Sequence, residues 1–180
     1  MTEPLTLETE RLMMRQLTLD DVDALSEVLS DPWTLRFYHH PFSRDEVVEW
    51  IERWQQSYRD NRFGLWGLVL KETGELIGDT GLTWQGVDGQ RFVEVGWHVH
   101  RAHQRKGYAT EAGRASLDYG FGTIGLQQII SLIRPENEPS WRVAEKLGMR
   151  IWKDTMRSRF PHRVYLLRRE EWVPSTGSEV

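Results

Sequence analysis

The sequence predicts a mixed α/β (α+β) fold: one twisted sheet of about six to seven strands with helices on both faces. Three observations predict it. Two amphipathic runs of helical period each follow a capping-box tetrapeptide, Thr18–Asp21 and Ser43–Glu46. Beyond Asn61 the apolar spacing shortens to a period of two, with turn chemistry between the runs. In the second half a strand, a basic turn, a helix and a further strand follow one another, so the strand order is mixed.

Taken in order, Arg11–Leu17 reads as a strand. Thr18-Leu19-Asp20-Asp21 then opens a helix with Val22, Leu25, Val28 and Leu29 on one face, and Asp31-Pro32 stops it. Ser43 and Glu46 can satisfy each other's orphan amides at the start of a second helix, which carries Val47, Trp50, Ile51, Trp54 and Tyr58. Leu65–Lys71, Leu76–Trp84 and Phe92–His100 read as three strands of an antiparallel meander, joined by Glu72–Glu75 and Gly86–Gly89. A helix is expected from Tyr108 to about Phe121, and a buried-type strand over Gln128–Arg134. A short helix with Pro139 in its first turn ends at Gly148, and strands near Met149–Met156 and Arg163–Arg169 close the chain.

Composition narrows the classes. The chain has 180 residues, 39% of them apolar, with 23 Lys+Arg against 27 Asp+Glu for a net charge of −4. A chain of this length and apolar content folds as one domain, here residues 1–180, with residues 1–4 and 174–180 as loose tails. The absence of cysteine excludes disulfides, thiolate zinc sites and a thiol nucleophile. No apolar run is long enough for a membrane span and no secretory leader is visible, so a cytoplasmic location is expected. The acidic balance disfavours nucleic acid as a partner.

The chemistry concentrates in Val93–Ala112, where a strand feeds a basic, glycine-containing turn that opens directly into a helix. A helix start offers unpaired N–H groups and a positive dipole end. Gly107 allows positive φ or close approach of a ligand, and Arg101, Arg105 and Lys106 add charge. Such a turn is an anion or pyrophosphate cradle, or else a basic surface loop.

Gln104-Arg105-Lys106-Gly107-Tyr108-Ala109 resembles the Q/R-x-x-G-x-G/A signature of the GNAT superfamily of acyl-CoA-dependent N-acyltransferases. Thr110-Glu111-Ala112, Asn137-Glu138-Pro139-Ser140, Glu145–Met149 and the opening Glu8–Leu12 are similar to its ribosomal-protein N-acetyltransferase (RimJ/RimL-like) branch. The resemblance implies a GNAT fold and an N-acetyltransferase that uses acetyl-CoA as co-substrate, with no metal. It implies that the backbone of Trp97, His98 and Val99 holds the pantetheine arm. The amides of Arg105, Lys106, Gly107, Tyr108, Ala109 and Thr110 would take the pyrophosphate, with Gln104 at the entry and Asn137 near the thioester. The acceptor is a primary amine, either a small molecule or a protein N-terminus, attacking directly in a ternary complex.

Such a transfer needs a neutral amine, a polarised carbonyl and a stabilised thiolate. Glu94 is the candidate base, sharing a strand face with Gly96 and His98; the alternative is a carboxylate paired with Arg91 or Arg134. His98 is a second candidate, and an amine that is already neutral needs no base. Ser140 suits the departing sulfur or a helix cap. Ala144 stands where many superfamily members carry a tyrosine acid, which keeps a catalytically silent acyl-CoA-binding sensor as the alternative function.

Three other features have simpler readings. The G-x-G-x-x-G at Gly120–Gly125 ends a helix and precedes a strand, the inverse of a dinucleotide-binding context. His98, His100 and His103 fall short of a supported zinc set. Nine tryptophans are many, and Trp33, Phe37, Tyr38 and Trp84 suit either an acceptor wall or a homodimer interface.

Overall fold

Helices pack on a single mixed sheet in the computed structural model, which describes residues 5–175. The strands are β1 (Thr6–Glu8), β2 (Leu12–Arg15), β3 (Leu65–Leu70), β4 (Leu76–Val87), β5 (Gln90–Val99), β6 (Gln128–Ile133), β7 (Arg150–Arg157) and β8 (Phe160–Arg168). The helices are α1 (Val22–Leu29), α2 (Arg44–Asn61), α3 (Tyr108–Asp118) and α4 (Glu138–Lys146). The sheet runs β1-β2-β3-β4-β5-β6-β8-β7 and has eight strands, one more than the runs of period two suggest. The extra strand is β1, whose three residues are too few to display a period. Of the tails expected at 1–4 and 174–180, residues 1–4 and 176–180 lie outside the described residues, and the Ser175 N–H donates to Asp118 Oδ1 at 3.4 Å.

Local chemistry accounts for the helix ends. Ser43 Oγ accepts from the Glu46 N–H at 3.2 Å and Glu46 Oε2 accepts from the Ser43 N–H at 2.7 Å, the reciprocal box that starts α2. At the first box Asp21 Oδ2 accepts from the Thr18 N–H at 2.8 Å, and the same carboxylate takes a two-pronged bond from Arg15. A single 3-10 turn therefore precedes α1. α3 is shorter than expected, because Tyr119–Ile124 widens into a π turn that ends at Gly125. The G-x-G-x-x-G stretch thus serves as a helix terminus.

Adjacent strands pair antiparallel except β5 and β6, which are parallel and touch in register only at Glu94↔Ile130. Past that point they part. Helices cover both faces: His98 on β5 meets Trp50 of α2, whereas its neighbour Trp97 meets Ser140 of α4. Successive residues of a strand point to opposite faces, so α2 and α4 lie on opposite sides of the sheet. The core contains fully buried Trp66, Phe121 and Tyr165. Tyr58 links α2 to the sheet, its hydroxyl donating to the Leu65 carbonyl and accepting from the Leu17 N–H.

Candidate active site

A cleft of about 1630 Å³ opens where β5 and β6 separate, and it reaches both faces of the sheet. It is lined by Glu94, Gly96, Trp97, His98 and Val99 of β5, by Gln104, Arg105, Gly107, Tyr108, Ala109 and Thr110 at the turn and start of α3, and by Asn137 and Ser140 at the start of α4. The sites named from sequence therefore meet in one cleft, Lys106 sitting in the same turn.

The turn before α3 is a shaped concavity. Arg105 has φ 63° and Gly107 has φ 88°, two left-handed residues that turn successive N–H groups towards one side. Only glycine takes the second conformation without strain, and a Cβ there would also lie 3.2 Å from the Arg11 guanidinium. Arg11 clamps the turn: it donates to the Lys106 carbonyl at 2.9 Å and to Glu111 Oε2 at 2.7 Å. Glu111 Oε1 accepts from Thr9 Oγ1 at 2.6 Å and from the Arg11 N–H at 2.8 Å. Burial opposes ionisation of Glu111, yet these bonds outweigh it and hold the carboxyl below its usual range. Gln104 clasps the turn to β5, its Nε2 donating to the Val99 carbonyl at 2.9 Å.

The register of β4 and β5 fixes which backbone groups face the gap. His98 pairs with Asp79, and the His100 N–H donates to the Ile77 carbonyl at 2.8 Å. By the alternation of an antiparallel ladder, the main chain of His98 points to β4 and those of Trp97 and Val99 point to the gap. His98 thus offers the cleft its side chain. Gly78 permits this approach, since a Cβ on it would lie 1.9 Å from the His98 carbonyl oxygen.

At the point where the strands part, Glu94 bridges them, accepting from the Leu132 N–H at 2.9 Å. It pairs with neither arginine considered from sequence: Arg91 lies over the Trp84 ring and Arg134 binds Glu136. Burial pushes its carboxyl pKa up, against the opposing pull of the Leu132 amide and the Arg157 charge. On the other face Ser140 is not the helix cap. Asn137 is, with Oδ1 accepting from the Ser140 N–H at 3.3 Å. Ser140 Oγ instead accepts from Trp97 Nε1 at 3.1 Å, leaving its own proton to donate into the cleft. Ala144 is fully buried in the core.

Sequence reading did not single out a chain of side chains on the α2 face of the cleft. Asp79, fully buried, accepts from Trp50 Nε1 at 2.8 Å and bonds His98 Nδ1 at 2.6 Å, and His98 Nε2 lies 2.6 Å from the Tyr38 hydroxyl. The available signal was Asp79 itself, an acid inside the apolar run Leu76–Leu82. Trp33, Phe37, Tyr38 and Trp84 all line this side of the cleft, joined by Phe160 and Arg157 from the β7–β8 hairpin. Among the described residues no group of three His, Asp or Glu is arranged to hold a metal, and no helix is long and apolar enough to cross a membrane.

Comparison with known proteins gives concordant matches. Residues 11–150 match the family model described as the acetyltransferase (GNAT) domain. A Bacillus licheniformis protein named uncharacterized N-acetyltransferase p20 is 33% identical over 148 residues, covering 79% of this chain and 81% of that one. The crystal structure of an acetyltransferase from Agrobacterium tumefaciens superposes with a TM-score of 0.80 at 28% identity, covering 93% of this chain and 96% of the other. RimJ of Mycobacterium smegmatis, solved in complex with CoA-disulfide, shares the fold at a TM-score of 0.74 and 22% identity, with 94% and 90% of the chains covered.

Proposed function

Because the chain belongs to the GNAT acetyltransferase family, we propose that it transfers the acetyl group of acetyl-CoA to a primary amine by direct attack in a ternary complex. The observation that carries this reading is the junction of an unpaired strand edge with a left-handed, N–H-rich turn, with Glu94 at the apex. An extended amide chain ending in a pyrophosphate matches that junction. Trp97 and Val99 have main-chain groups for the pantetheine, and the amides of Arg105 to Thr110 together with the α3 dipole suit the phosphates. Asn137 and Ser140 then stand near the thioester end.

The residues divide the work. The Val99 N–H is placed to stabilise the carbonyl oxygen as it gains charge. Glu94, whose raised pKa makes it a better proton acceptor, takes a proton from the attacking nitrogen. Ser140, its oxygen already accepting from Trp97, donates to the departing sulfur in place of the tyrosine that Ala144 replaces. Acetyl-CoA supplies an activated acyl group, so no covalent acyl-enzyme is required.

The acceptor is a small-molecule amine or a protein N-terminus. Acceptor-side charges are mixed, with Arg36, Arg53 and Arg157 against Asp60, Asp79 and Glu94, and Arg134 paired with Glu136. The aromatic walls favour an acceptor with an apolar body.

Ala144 supports one rival, a silent acyl-CoA sensor. Free-thiol release from acetyl-CoA, screened across N-terminal peptides, aromatic amines, aminoglycosides and polyamines, separates the two. Turnover in any amine class supports the enzyme. Tight acetyl-CoA binding with silence throughout the panel overturns it in favour of the sensor.

A further inference from the structure

Transfer to an amine that arrives as an ammonium ion releases two protons from nitrogen: one before attack and one from the tetrahedral intermediate. The thiolate is protonated from the other face of the sheet, by Ser140 and the solvent behind it, so both nitrogen protons are taken up on the acceptor face and one passes to solvent overall. Glu94 is a single carboxylate and accommodates a single proton, so the acceptor face needs a second place to put one.

We propose that Tyr38, His98 and Asp79 form that second proton path, with the Tyr38 hydroxyl as the group that touches the amine. The wiring follows from hydrogen-bond roles. Asp79 is fully buried and its Oδ2 already accepts from Trp50 Nε1 at 2.8 Å. Its Oδ1, 2.6 Å from His98 Nδ1, can only accept as a carboxylate, so Nδ1 carries the imidazole proton. When the ring carries that one proton it presents a lone pair at Nε2, and the Tyr38 hydroxyl, 2.6 Å away, can donate to it. Tyr38 lines the cleft and is 47% exposed there, and a hydroxyl that donates to Nε2 keeps its lone pairs free to accept from an amine.

The step balances. An N–H bond of the ammonium breaks as an O–H bond forms on Tyr38. The original Tyr38 O–H breaks and an N–H bond forms at His98 Nε2. The net change is one proton moved to the imidazole, whose positive charge lies against the Asp79 carboxylate, and the amine is left neutral. Glu94 remains free for the proton released after attack. Tyr38 acts by contact, His98 stores the proton behind it, and Asp79 and Trp50 are positioning residues. Asp79 and His98 are register partners on β4 and β5, so the sheet itself sets their separation.

Other groups around the path set its pH behaviour. Trp50 of α2 packs its ring 6.0 Å from that of His98, which excludes water from one side. Burial and the negative charges of Glu94 and Asp79 oppose ionisation of the Tyr38 phenol, and the Arg157 charge from β7 works the other way. Tyr38 therefore stays a neutral hydroxyl that relays a proton without releasing one to solvent.

The relay rests on the acetyl-transfer reading, and the test keeps the two apart. In ¹⁵N NMR of the free protein, the imidazole signal lost in His98→Gln is expected to be the neutral Nδ1–H tautomer, and an Nε2–H tautomer would overturn the wiring. With an amine that the wild type acetylates, Tyr38→Phe keeps the ring but should lower kcat/KM for the amine about 10²-fold. It should also shift the acidic limb of the pH profile and leave KM for acetyl-CoA unchanged. Wild-type turnover together with an indifferent Tyr38→Phe variant overturns the relay alone. Silence of the wild type towards every amine overturns the acetyl-transfer reading and takes the relay with it.

Discussion

Glu94 is held in two roles at once. Its carboxylate satisfies the Leu132 amide that β5 no longer reaches, and burial makes the ionised form costly. A carboxyl whose folded pKa is raised favours the folded state less as pH climbs from its unfolded pKa through the raised value. At neutral pH and above its ionised form therefore costs stability. Glu94→Gln keeps an acceptor for Leu132 and removes that cost. Thermal melts at neutral pH should show a higher Tm, while kcat/KM for the amine drops about 10²-fold and the acidic limb due to Glu94 disappears. A lower Tm with unchanged turnover would remove both roles. Ser140→Ala separates chemistry from folding on the other face. Asn137 provides the cap, so the helix should persist. Turnover under chemistry-limited conditions should fall about tenfold, and acetyl-CoA affinity should stay near that of the wild type. Unaltered turnover would leave Ser140 as a partner for Trp97 only.

Among the elements, the start of α3 depends on residues a hundred positions earlier in the chain. Glu111 takes bonds from Thr9 and from the backbone and side chain of Arg11, and Arg11 holds the Lys106 carbonyl. The Glu111 carboxyl is held below its usual pKa, so its contribution is present above the unfolded carboxyl pKa and is lost as pH falls through the depressed value. Glu111→Ala should cost about 1–2 kcal/mol in urea unfolding at neutral pH. That loss should shrink in acid, and acetyl-CoA affinity should weaken because the turn is no longer clamped. An equal loss at both pH values would contradict the clamp. Local signals made most elements legible in sequence: the Ser43–Glu46 box, the Gly148 stop and the period-two runs all depend on neighbours in the chain. The clamp was visible only as two segments, Glu8–Leu12 and Thr110–Ala112, because nothing local connects them. The π turn Tyr119–Ile124 takes in the last residues of the helix expected to about Phe121 and part of the Gly120–Gly125 stretch expected to end it, since apolar spacing cannot distinguish one extra residue per turn.

At the scale of the whole molecule, one irregularity organises the chemistry. Among the described residues all eight strands pair with a neighbour along an antiparallel ladder, whereas the parallel contact of β5 with β6 ends after a single register pair. The resulting gap gives one side beneath α3 and α4, proposed for the cofactor, and another beneath α2 and the loop around Tyr38, proposed for the acceptor. The proposed cofactor side was legible as a group because most of its residues run contiguously in sequence, from Trp97 to Thr110, with Asn137 apart. The acceptor side was not, because Tyr38, Trp50, Asp79 and His98 come from four separate elements and only the sheet register brings them together. The central claim is that the turn ending at Gly107 receives the pyrophosphate of acetyl-CoA. Calorimetric titration of acetyl-CoA into the wild type and into Gly107→Glu tests it most directly, with matched thermal melts to verify folding. Saturable binding to the wild type and at least about a 10²-fold loss in the variant are expected, as a carboxylate and a strained φ replace an anion cradle. Equal affinity in two folded proteins would place the cofactor elsewhere and contradict it.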